Sequence, residues 1–287
     1  MPPDAKVDNR CRVCGGEQLD HQVVSRPDKR RKLVASICQR CGHVALPGNF
    51  HDYTEAAAPD DFGLKPRVGT EETPGREFGM AQLGITALHN AGVLPAAGAD
   101  VLVYGAGRSV DNRHIEKLDA VRNVAIGDIS KVRDDAEFVD ISQPATRRFD
   151  LVIASEVIEH FLEPNEEFPR LFGYVADNGL LVCSTNIYDG GRLAKHGYIW
   201  GRGHVAYYSP EALRVIADGN GMRLDFRVPL AATGSAGPRK RYVLFSRSDE
   251  VMRAVSVYFG RATYAPSEPP AEKKPGLAAK PASRAVS

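Results

Sequence analysis

The chain has 287 residues, 43% of them hydrophobic and 25% charged, with 37 basic against 36 acidic side chains and a net charge of +1. That length suits one large domain plus a small one, and the charge balance argues against bulk electrostatic capture of nucleic acid or of an anionic membrane. No apolar run approaches the roughly 20 residues of a membrane helix, and the opening MPPDAKVDNR lacks the apolar core of a signal peptide, so a cytoplasmic protein is expected.

Residues 1–45 carry two C-x-x-C-G turns, Cys11, Cys14 and Gly15, then Cys38, Cys41 and Gly42. Each turn can present two thiolates to one ion, and the following glycine frees backbone amides to point at the sulfurs. Two turns close a tetrahedron, so a structural Zn²⁺ on a ribbon too small to build its own core is expected. Four cysteines fill the shell; His21 and His43 are not needed, and no open position is left for catalysis. The fifth cysteine, Cys183, lies in the apolar run 180–184 and reads as a small buried hydrophobe. The basic run Lys29, Arg30, Arg31 and Lys32 reads either as a solvated hairpin tip or as a phosphate contact. Residues 46–75, rich in Pro, Gly and acidic groups, read as a linker.

From 76 to 250 the pattern is that of an α/β domain. Continuous apolar runs at 101–104, 124–127, 137–141, 150–154 and 180–184 predict strands buried on both faces of a parallel sheet. Helices are predicted over 156–175 and over 209–220, the second with Ser209 as N-cap, Pro210 at the first helical position and Glu211 in the first turn. Strands at 223–228 and 241–246 have no helix between them and must pair antiparallel, which makes seven strands in all. The stretch 265–287, with five prolines and no aromatic residue, is expected to be disordered.

The first strand of this domain runs into Tyr104-Gly105-Ala106-Gly107-Arg108-Ser109-Val110. A strand, a glycine turn and a helix start bring backbone amides close to a ligand. A dinucleotide fingerprint needs Gly or Ala where Val110 stands, so pyrophosphate is disfavoured. Asp128 ends the second strand, where a carboxylate accepts ribose hydroxyls, and Asp140 ends the third within reach of an adenine amino group. Ile129 and Ile141 supply apolar faces for the ring. Together these residues predict an adenosine-type ligand at the carboxyl ends of the strands.

The series YGAGRS, GDIS, FVDIS, FDLVIASEVIEHFLEP, NGLLVCSTNIYDGG and YYSPEALRVIADGNGMRL resembles the class I S-adenosylmethionine-dependent methyltransferases over about residues 76–247. The resemblance implies a Rossmann-like seven-stranded sheet with a final antiparallel hairpin. It implies that Gly105, Ala106 and Gly107 cradle the methionine part of the cofactor, next to Tyr104, and that Asp128 holds the ribose. Asp140 and Ile141 would face adenine, and Ser155 and Glu156 would border the methyl-donor side. The family usually has an acidic residue where Tyr104 stands and a glycine where Ser109 stands.

Methyl transfer needs an aligned nucleophile and a proton acceptor near neutrality, which favours histidine. The candidates are His204, in the loop after the fifth strand, and His160, in EVIEH. A cysteine ribbon ahead of such a domain is similar to sugar methyltransferases acting on nucleotide-linked deoxysugars. Those that methylate carbon usually carry Glu before the matching histidine, where this chain has Gly203, so O- or N-methylation of a glycosyl or other small acceptor is expected. Tyr198, Trp200, Tyr207 and Tyr208 offer an aromatic wall or simple packing. Two other classes stay open: an RNA methyltransferase docking its basic ribbon on phosphates, and a non-catalytic binding module.

Overall fold

The computed structural model describes residues 10–24, 31–53, 69–131, 133–228 and 240–260. The stretch 265–287, Lys29 and Arg30 lie outside the described residues. The apolar runs form seven strands: β4 (Ala99–Tyr104), β5 (Val121–Asp128), β6 (Glu137–Asp140), β7 (Phe149–Ser155), β8 (Val175–Asn186), β10 (Arg223–Arg227) and β11 (Lys240–Ser246). Their spatial order is β6-β5-β4-β7-β8-β11-β10. The pairs of β4 with β5 and β7, β5 with β6, and β7 with β8 are parallel, whereas β11 runs antiparallel to both β8 and β10. The expected sheet and closing hairpin are therefore present.

Alternate residues of each strand serve opposite faces. Val101 and Val103 join Met80, Leu83 and Leu88 of α1 (Arg76–Asn90) and Val251 of α5 (Asp249–Phe259). Leu102 and Tyr104 join Phe168 and Leu171 of α3 (Pro164–Gly173) and Leu213 and Ile216 of α4 (Pro210–Gly219). Glycine at 84 lets α1 lie against β7, because a Cβ there would run into the Leu151 side chain. Cys183 is fully buried in β8, and burial pushes its thiol upward, as expected for a packing residue.

The helix expected over 156–175 is replaced by a 3₁₀ turn, Ile158–His160, followed by α3 from Pro164, with β8 already under way at Val175. Glu156 stands at φ +58°, which stops helix growth from β7, and Pro164 sets a new start at the first turn of α3. Between β5 and β6 no crossover helix occurs among the described residues. The α4 expectation holds in detail: the Ser209 hydroxyl accepts from the Ala212 amide at 3.0 Å.

A second sheet holds the ribbon. β1 (Gln18–Val24), β2 (Lys32–Cys38) and β3 (Val44–Ala45) form an antiparallel meander. Its fourth strand, β9 (Ala206–Tyr207), comes from the loop after β8, pairing Val44 with Tyr207 and Ala45 with Ala206. Val23, Ala35, Val44 and Leu46 share a core with Tyr188, Leu193, Ile199 and Tyr207 of that loop. Residues 46–53 are thus pinned to the large domain and do not tether loosely: Leu46 donates to the Val205 carbonyl at 2.7 Å and is fully buried.

Candidate active site

Parallel register brings five strands into line near their carboxyl ends: Tyr104 pairs with Gly127 and Ala154, Asp128 with Asp140, and Ser155 with Ser184. The glycine turn springs from that edge. Gly105 has φ +67°, and a Cβ there would lie 2.6 Å from Val157 Cγ2. Gly107 has φ +52°, and a Cβ there would enter open space. Its amide donates to Asp128 Oδ2 at 2.9 Å, and Ile129 donates to Oδ1 at 2.8 Å. Burial raises the Asp128 carboxyl, and these backbone donors pull it back. The Asp140 carboxylate accepts from Ser142, Ile141 is buried beside it, and Ile129 is 39% exposed. A backbone cradle left open by a glycine, flanked by two neighbouring carboxylates and apolar side chains, fits an adenosine-type cofactor bearing a methionine tail.

Beyond β7 the chain turns sharply at Glu156, the one non-glycine residue with positive φ among the described residues. Such strain collects at functional sites. Its carboxylate takes the Ser184 hydroxyl at 3.1 Å and pairs with Lys240, and Ser155 and Ser184 share a hydrogen bond of 3.0 Å.

Next come Glu159 and His160, which the fold brings to His204 from 44 residues away; one ligand atom from each lies within 4.8 Å of the others. Glu159 is fully buried, and burial drives its carboxyl up to about 7 against the donors Tyr198 and Thr185. Nδ1 of His160 lies 2.8 Å from the Gly203 carbonyl and Nδ1 of His204 lies 2.7 Å from that of Tyr198. A carbonyl only accepts, so in each neutral ring Nδ1 carries the proton and Nε2 the lone pair. The two rings stand edge to face at 5.1 Å.

The ribbon side holds this cluster. Asn49 Nδ2 donates to the carbonyls of Gly201 at 2.6 Å and His204 at 3.0 Å. The Tyr53 hydroxyl donates to the Arg202 carbonyl at 3.0 Å and lies 3.2 Å from His160 Nδ1. Gly203 has φ +72°, and a Cβ there would strike the Tyr53 hydroxyl, so no side chain has room at that position. The Ser209 hydroxyl that caps α4 also donates to the Cys41 carbonyl.

In the ribbon, Cys11 and Cys41 Sγ are 3.6 Å apart and Cys14 and Cys38 Sγ are 3.4 Å apart, with all four within 4.8 Å of one another. A tetrahedron with metal–sulfur bonds of about 2.3 Å has edges of roughly 3.8 Å, so the donor set matches Zn²⁺ closely. Gly15 and Gly42 take φ +71° and +69°, and the amides of Val13, Gly16 and Cys41 each point at a sulfur at 3.4 Å. Sharing a proton with Cys41 holds the Cys11 thiol down at about 3, while Cys41 is pushed up.

Several expected participants are elsewhere. The Tyr104 ring is 4% exposed and packs on Tyr174 at 5.9 Å, so only its backbone borders the cradle. Ser109 is buried and bonds Glu77 at 3.1 Å, tying α1 to the short helix α2 (Asp111–Ile115). Tyr207 and Tyr208 are core residues, 1% and 0% exposed, and form no wall. Arg31 of the basic run stacks over Trp200 at 5.3 Å and donates to its carbonyl. Glu159, Asn49 and Tyr53 carried no expectation. The only signal for Glu159 was its place beside His160 in EVIEH.

Residues 85–225 match the family described as a methyltransferase domain. No curated protein matches the sequence. Among solved structures, similar chains include CalO1, a methyltransferase in calicheamicin biosynthesis with bound S-adenosylhomocysteine (13% identity, 61% of this chain and 56% of that one, TM-score 0.41). Others are the Burkholderia thailandensis 1,6-didemethyltoxoflavin-N1-methyltransferase (17%, 67% and 95%, 0.39) and human N-acetylserotonin methyltransferase (14%, 58% and 51%, 0.42). The aligned region spans little more than half the length of CalO1. No helix among the described residues is long and apolar enough to cross a membrane.

Proposed function

Residues 85–225 are a class I S-adenosylmethionine-dependent methyltransferase domain, and from that premise we propose that the protein methylates an oxygen or nitrogen of a small acceptor, a sugar or nucleotide-linked sugar. The observation that carries the reading is the pairing of an open glycine cradle after β4 with the Glu159–His160–His204 cluster, buried at Glu159 and half-buried at both histidines, which begins a few residues beyond the end of the neighbouring strand β7. Backbone at Gly105, Ala106 and Gly107 would hold the methionine part, Asp128 the ribose, and Asp140, with Ile129 and Ile141, the adenine. Ser155 and Glu156 would border the reacting side.

When bound, the cofactor supplies a methyl group on a sulfonium whose C–S electron pair leaves with sulfur. His204 takes the acceptor proton on Nε2, oriented through Nδ1 by the Tyr198 carbonyl. His160, fixed by Gly203 and Tyr53, lines the same wall. Cys11, Cys14, Cys38 and Cys41 would hold a structural Zn²⁺, and the ribbon so ordered keeps the acceptor loop in place through β3–β9 pairing and Asn49. Gly203, required by Tyr53, favours O- or N-transfer over carbon.

The test is methyl-labelled S-adenosylmethionine incubated with a panel of sugars, nucleotide sugars and a structured RNA. Label on a glycosyl hydroxyl or amine, lost in His204→Ala, supports the reading; label only on RNA overturns the acceptor class.

A further inference from the structure

We propose that Glu159, His160 and His204 form a second metal centre, separate from the cysteine cluster, that takes a divalent cation of the Zn²⁺, Mn²⁺ or Fe²⁺ kind. Their ligand atoms lie within 4.8 Å of one another, from a 3₁₀ turn at the end of β7 and from the loop after β8. Two imidazoles and one carboxylate are a donor set suited to these ions, and three protein ligands leave positions open for another molecule.

Two further observations point to a cation. Glu159 is fully buried, and its Oε1 has no hydrogen-bond partner among the described residues, while Oε2 accepts from Thr185 Oγ1 at 3.3 Å. A buried carboxylate oxygen left without a donor asks for a positive partner. Both histidines also give Nδ1–H to backbone carbonyls, Gly203 and Tyr198, leaving Nε2 as the donor atom of each ring. That is the outer-shell arrangement of metal-ligating histidine. Tyr53 and Asn49 then brace the two ligands from the ribbon side.

Cation binding stands on this geometry alone; its use in transfer rests on the methyltransferase reading above. A cation held there would lower the pKa of an acceptor hydroxyl at an open position, whose proton would pass to water. The oxygen then bonds the methyl carbon as the C–S bond breaks. With the cation bound, His204 is a ligand; without it, His204 takes the proton itself.

The experiment uses the untagged full chain, stripped and then titrated with Co²⁺, with metal content and visible absorption as readouts. The expected result is two equivalents, one with thiolate charge-transfer bands and one with only ligand-field bands. His160→Ala and His204→Ala are expected to weaken the second equivalent by about tenfold or more and leave the first intact. A single equivalent in the unmodified chain, or a second one indifferent to both histidine variants, overturns the proposal. Calorimetry with S-adenosylmethionine separates the two readings. Cofactor binding with one metal removes only the second centre, and two metals without cofactor binding remove only the methyltransferase reading.

Discussion

The side-chain amide of Asn49 reaches the backbone carbonyl of His204 at 3.0 Å, across 155 positions of sequence. Through this bond and the Gly201 carbonyl, a residue just outside the cysteine ribbon sets the path of the loop that carries His204. The ribbon side is thereby tied directly to the loop that carries His204.

Asn49→Ala leaves those carbonyls without their donor, at a cost of about 1–2 kcal/mol of stability. Methyl transfer is expected to fall while S-adenosylmethionine affinity stays unchanged, because the cradle at Gly107 and Asp128 shares no bond with Asn49. Thermal unfolding, calorimetry and single-turnover transfer on the same variant check all three statements.

Removing the metal from the cysteines, by chelation or Cys38→Ser, is expected to loosen β1–β3 and, through β9, the loop around 198–207. Structural zinc contributes folding free energy outright. Hydrogen exchange is the measurement: protection lost in the ribbon and in β9, but kept in β4, β7 and β8. Retained protection in β9 would mean that the loop holds itself.

At Gly107 a side chain would stand in the open cradle at φ +52°. Gly107→Val is expected to cost about 1–2 kcal/mol through its left-handed backbone. Cofactor affinity should drop by about tenfold or more. Unfolding curves and calorimetry separate the two effects.

Glu77 supplies a pH signature. Burial drives its carboxyl up to about 7, and its hydrogen bond with Asp111 adds to the rise, while Arg76 opposes it; Ser109 and Tyr242 face it as well. Between an unfolded value of about 4.3 and the native value, the native state keeps a proton that the unfolded chain has released. Stability therefore falls as pH rises through that window, by an amount on the order of 1–3 kcal/mol. Glu77→Gln should remove this contribution to the slope, which urea titrations at pH 5 and pH 8 would reveal.

The strands were legible because a parallel sheet buried on both faces writes continuous apolar runs such as Val101–Tyr104. The cysteine cluster was legible because Cys11, Cys14, Cys38 and Cys41 repeat one turn twice. Glu156–Val175 misled for a local reason: apolar residues at helical spacing hide the positive φ at Glu156 and the fresh start at Pro164. α1 and α5 went unread because neither carries the Ser-Pro-Glu start that marked α4, although Ser248 caps α5 through Val251. The pairing of β3 with β9 has no local signature at all, since it joins two residues to two others more than 150 positions away. Tyr207 and Tyr208 were ambiguous for a like reason: Tyr207 is buried in the core shared with the ribbon and Tyr208 against Phe168 and His43, contacts that only the fold makes. Glu159 escaped notice because its importance comes from an orphaned oxygen, a property of the folded core.

The central claim is that the edge formed by Gly105, Gly107 and Asp128 binds S-adenosylmethionine. Isothermal titration of the full chain, with its cysteine site zinc-loaded, tests it most directly. The expected result is one equivalent bound, weakened by about tenfold or more in Asp128→Asn. No binding by the folded chain, or equal binding by that variant, would contradict it.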